Sequence, residues 1–193
     1  MATKAENNVP STFHPQSRLR HFKLGAWSLA VLFCGSIFSS PLMADESQDP
    51  FLGMKPPTSE WSTRMVNKEE LPAGVKEELQ IEVKGKEKAV NAGLRIGTDL
   101  PISSKSFLDQ VRQRIAADKD YQGAEITSVK SKSVGGKQWD FFVIQRKDEI
   151  HQEFWARSIS SDQILMLLYT ALGNYYDQYH KDYNKILEQA AGI

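Results

Sequence analysis

The sequence predicts an α+β fold, an antiparallel β-sheet with an internal helix and a long C-terminal helix packed on it. Three observations predict it. Leu79, Ile81 and Val83 alternate with polar residues, and Val90, Ala92, Leu94 and Ile96 repeat the pattern, the period of half-buried strands. Phe107, Leu108, Val111 and Ile115 fall at i, i+1, i+4 and i+8, one face of a helix. Tyr176, Tyr179, Tyr183, Ile186, Leu187 and Ala190 form one stripe near the chain end, the mark of a second, longer helix.

Residues 1–44 read as a signal peptide. Arg18, Arg20 and Lys23 give a positive flank, and Leu24 to Phe38 make an apolar run of fifteen residues. Ser39, Ser40 and Pro41 break that run, and Leu42-Met43-Ala44 offers a cleavage site before Asp45. A spanning helix needs about twenty apolar residues, so the run is short for one. The alternative is an uncleaved inner-membrane anchor over residues 24–44, which are 21 uncharged residues interrupted by Gly35 and Pro41. Phe33 before Cys34 does not resemble a lipoprotein signal. The expectation is a periplasmic protein secreted through a cleaved signal.

Residues 45–74 carry Pro50, Pro56, Pro57 and Pro72 and lack either period, so they are expected to be a flexible leader, with Trp61 docking onto the domain. The domain is expected over 75–193. Its first two strands form a hairpin turning at Gly85-Lys86. The helix begins at Ser103, Ser104 or Ser106, any of which suits a cap. After Gly123, a strand over 126–134 meets Gly135-Gly136, a dipeptide suited to a tight hairpin turn. In the strand that follows, Trp139, Phe141 and Val143 point one way while Phe142 and Ile144 point the other, so it lies inside the sheet. Residues 150–159 form the next strand. Residues 164–172, ILMLLYTAL, fit either a buried strand or a helix.

The run SFLDQVRQRIAADKDYQGAEITSVKSKSVGGKQWDFFVIQ, the strands to Leu172 and the terminal YYDQYHKDYNKILEQ resemble the PsbP-like superfamily of PsbP, DcrB and LpqN-type envelope proteins. The resemblance covers about residues 75–190 as a pattern of elements. It implies a PsbP-like α/β/α sandwich in which 164–172 is a strand. It also implies a non-enzymatic protein that binds or supports envelope or membrane components, with no catalytic set to carry over.

Without its first 44 residues the chain keeps 20 Lys and Arg against 23 Asp and Glu, a charge that argues against nucleic acid. Cys34, the single cysteine, leaves with the signal, which excludes a disulfide and thiolate metal sites from the mature chain. Glu149, His151 and Glu153 alternate along one strand, but two carboxylates and a histidine are few ligands for a metal, and the simpler reading is a solvated strand face. His180 would complete a set only if the last helix covered that face rather than the opposite, apolar one. Asp177 and His180 read as a surface pair. No Gly-x-Ser-x-Gly elbow, P-loop or G-x-G-x-x-G is present, so neither catalytic residues nor a cofactor are expected.

Tyr175 lies off the main tyrosine stripe and is the candidate for a protein contact, since aromatic anchors are enriched in interface cores. Two functions fit. One is an envelope interaction or assembly factor that holds an envelope or membrane protein, with peripheral membrane association possible. The other is a small-ligand carrier with a pocket between sheet and helices.

Overall fold

In the computed structural model, residues 50–98 and 102–193 are described. The expected signal and its anchor alternative lie outside these residues. The elements are β1 (Trp61–Met65), β2 (Val75–Val83), β3 (Val90–Gly97), α1 (Ser104–Ala117), β4 (Glu125–Ile126), β5 (Lys130–Val134), β6 (Lys137–Gln145), β7 (Ile150–Ser158), β8 (Ile164–Leu172) and α2 (Tyr175–Ala190). The strands form one antiparallel sheet in the order β1-β2-β3-β8-β7-β6-β4, with β5 also paired to β6. The fold is therefore α+β, and residues 164–172 are a strand between β3 and β7.

Local chemistry sets these elements. The Ser103 hydroxyl caps α1 by accepting from the Ser106 N–H at 3.2 Å. Gly135 and Gly136 sit at φ 57° and 74°, which a two-residue hairpin turn between β5 and β6 requires and which side chains disfavour. The strand expected over 126–134 is broken in two. Thr127 bonds Val143 through both its backbone N–H and its hydroxyl, so the chain bends there and lays β4 and β5 successively along one edge of β6.

The helices take opposite faces. On one, α1 packs Phe107, Leu108, Val111 and Ile115 onto Phe142, Ile144, Phe154 and Leu168. On the other, α2 packs Tyr179, Tyr183, Ile186 and Leu187 onto residues that include Leu94, Trp155, Leu167 and Tyr169. The result is an α/β/α sandwich. Asp140, 8% exposed, fastens the first layer by accepting from Ser104 at the start of α1 and from Ser131 of β5, both at 2.6 Å.

The segment expected to be a flexible leader differs in its described part, residues 50–74. Strand β1 pairs with β2 over its whole length, and Trp61 is 1% exposed. Its ring meets Tyr179 edge-on at 5.7 Å, while its Nε1 donates to Asp182 at 3.2 Å. Phe51 is also buried, and the Lys55 backbone exchanges hydrogen bonds with the Gln189 side chain of α2. The packed domain thus starts before Val75. Prolines and missing period misled because Trp61 and Phe51 anchor this stretch by single large side chains rather than by a repeating face.

Candidate functional site

Helix α1 crosses only half of its face of the sheet. Side chains that point to this face form lateral rows whose character changes from the covered half to the bare one. One row runs Phe142, Phe154, Leu168, Gly93, Gln80 and Arg64. A second runs Asp140, Ala156, Met166, Arg95 and Glu78, and a third ends in Asn91, Glu82 and Ser62. Where α1 stops, a groove of about 560 Å³ opens between Phe107, Leu108 and Val111 on the helix and the faces of β2, β3 and β8. The loop holding Val66, Glu70, Pro72 and Ala73 closes its far side.

Gly93 lies in the floor of this groove. A Cβ built there meets no atom within 4 Å, and the backbone is ordinary extended strand. Glycine inside a strand costs stability through chain entropy and lost packing. Nothing in the fold requires it here, and its effect is to leave depth beside Leu168 and Met166.

Charge in the groove is uneven. Arg95 is consumed by Glu78 through two bonds of 2.8 and 3.0 Å. Arg64 reaches Gln80 and, more distantly, Glu70. Glu82 is half-buried and its carboxylate has no ion pair among the described residues. Glu87 is exposed at the same end, accepting from the Gly85 N–H at 2.7 Å, and hydrogen bonds from the backbone lower its pKa. Four glutamates thus line the groove against Arg95 and an exposed Lys88.

The opposite face holds a buried polar cluster, which corrects the solvated-strand reading. Glu153 is 4% exposed and accepts from Tyr176 Oη at 2.5 Å and Trp155 Nε1 at 2.9 Å, with His180 Nε2 at 3.1 Å. Helix α2 covers this face after all. Despite its polar residues, β7 lies inside the sheet between β8 and β6, and both of its faces are packed. Burial pushes the Glu153 carboxyl up, but the bonds from His180, Tyr176 and Trp155 outweigh it and hold the pKa below its ordinary value. The bond to Glu153 raises the His180 pKa against the opposing effect of burial. His151 stacks on Tyr176 at 4.6 Å, whereas Glu149 sits in the preceding turn at φ 63°. Among the described residues no three of His, Cys, Asp and Glu gather to hold a metal ion.

Tyr175 lies half-buried at the start of α2, beside Lys86. The Lys86 ammonium sits 5.5 Å from its ring centre and donates to Tyr179 Oη at 2.7 Å. Tyr179 in turn donates to Glu60 at 3.0 Å.

No protein-family model matches this chain, and no curated protein does. Its fold is similar to the solution structure of cyanobacterial PsbP (CyanoP) from Synechocystis sp. PCC 6803. The two share 12% identity over 67% of this chain and 79% of that one, with a TM-score of 0.46. The likeness is one of fold.

The sequence reading passed over Gly93, although a signal was there. It is a lone glycine at the centre of an otherwise regular strand, flanked by Ala92 and Leu94.

Proposed function

We propose that this is a non-enzymatic binding protein of the cell envelope, exported by residues 1–44, that carries a small ligand in the groove beside α1. The observation that carries this reading is Gly93, a strand-interior glycine with open space above it, set in a cavity of the size small-molecule sites take. The apolar helix wall, facing polar groups of β2 and β3, suits such a site. The non-enzymatic part rests on the Glu153 cluster. Its histidine and tyrosine both bond the Glu153 carboxylate across the α2 interface, which is a structural use of those groups.

The neutral fluorescent probe N-phenyl-1-naphthylamine tests the reading. Its emission is expected to rise on binding the protein and to stay at the buffer level with Gly93→Leu, which fills the groove without backbone strain. Equal emission with both proteins would refute the groove as the site.

A second reading keeps a protein partner in the envelope. It is favoured by the half-buried Tyr175 ring beside Lys86, an aromatic and a cation at the rim of α2.

A further inference from the structure

We propose that the groove selects a cationic amphiphile, a molecule with an apolar body and an amine head, with Glu82 receiving the head. This rests on reading the groove as the ligand site.

The body follows from the wall and floor. Phe107, Leu108 and Val111 face Leu168, Met166 and the bare backbone of Gly93, so an apolar chain lying along α1 touches carbon on both sides. The head follows from which charges are already neutralised. Arg95 could attract an anion, but the Glu78 carboxylate already neutralises it, accepting from its Nε and Nη2 together. Lys88 is exposed on the turn beyond Asn91, where solvent and salt screen it. Glu82 differs from both. It is half-buried, lines the groove and carries a charge with no ion-pair partner among the described residues. Asn91 lies directly across from it on β3, and Glu87 adds a carboxylate at the same end. A buried-edge carboxylate acts through a lower dielectric than the exposed lysine, so the field felt inside the groove is negative. The cavity volume limits the occupant to a small molecule.

Three probes of one chain length separate charge from apolar contact: dodecylamine, dodecanoate and 1-dodecanol. Each displaces N-phenyl-1-naphthylamine from the full protein at pH 7.5 and below its micelle concentration. Dodecylamine is expected to displace at about tenfold lower concentration than dodecanol, the ratio that one charge-assisted hydrogen bond supplies. Dodecanoate is expected to be the weakest. Glu82→Gln is expected to bring the amine down to the alcohol while dodecanol is unchanged, which also shows that the variant is folded.

Equal or tighter binding of dodecanoate, with Gly93→Leu still blocking all three, would overturn the charge selection and leave the groove as a site. An amine preference that survives Glu82→Gln would overturn the assignment of the head to Glu82. Probe binding indifferent to Gly93→Leu would remove the groove itself, and the inference with it.

Discussion

His180 Nε2 lies 3.1 Å from the Glu153 carboxylate, so a residue of α2 and a residue of β7 meet as an ion pair inside the second layer of the sandwich. The bond from Tyr176 approaches the same carboxylate oxygen. Helix α2 is thereby fixed in rotation as well as in position, because an apolar stripe alone tolerates small turns about the helix axis.

This pair predicts a stability optimum in pH. The fold raises the His180 pKa, so its contribution is complete below its ordinary 6.5 and fades as pH rises through the folded value. The fold lowers the Glu153 pKa, so its contribution is complete above its ordinary 4.5 and fades as pH falls through the folded value. Both are complete between these two values. Urea unfolding of the wild type and of His180→Gln is expected to differ most near pH 5.5, and less at pH 3 and pH 9. A difference that is flat across this range would exclude the ion pair.

The N-terminal segment is expected to be part of the cooperative unit. Trp61→Ala should cost about 3–5 kcal/mol, the range for a buried aromatic truncated in a core. A chain beginning at Val75 should lose most of its stability, since it exposes the α2 surface that Trp61 and Phe51 cover. Thermal unfolding monitored by circular dichroism checks both. An unchanged midpoint for the shortened chain would return residues 50–74 to the status of a leader.

Leu187 and Tyr175 should part company. Leu187 is 2% exposed in the core under α2, and Leu187→Ala should cost about 2–5 kcal/mol. Tyr175→Ala removes a half-buried ring at the rim and should cost far less. If the second functional reading holds, Tyr175→Ala weakens crosslinking to the envelope partner at an unchanged melting midpoint. Crosslinking that is indifferent to Tyr175 would exclude this rim as the contact.

Gly93→Val should leave stability unchanged or raise it by about 0.5–1 kcal/mol, because it removes a flexible residue from a strand at a position where an added Cβ meets no atom within 4 Å. Urea midpoints decide it. A clear loss would mean that the bare floor serves packing rather than access.

Much of the fold was legible because it is written in periods. Leu79 to Val83, Val90 to Ile96 and the tyrosine stripe of α2 repeat over enough residues to declare their faces. Trp61 and Phe51 were illegible for the opposite reason, since each acts alone. Glu153 was misplaced because alternation tells which residues share a face but not which helix will cover it. The groove is harder still. It exists because α1 covers only part of its face of the sheet, a matter of how the helix lies across the strands, and only Gly93 marks it locally.

The pairing of β3 with β8 carries a consequence for the order of assembly. Val90–Gly97 must wait for Ile164–Leu172, whose paired residues lie 67 to 81 positions later, before the middle of the sheet can close. Closing so long a loop is an entropic barrier that local contacts in the β2–β3 hairpin or in α1 cannot offset. A chain emerging from its N-terminus at about 5–20 residues per second can therefore form these pieces but not join them. The sheet, and with it the floor of the groove, is completed only once Ile164–Leu172 have been made.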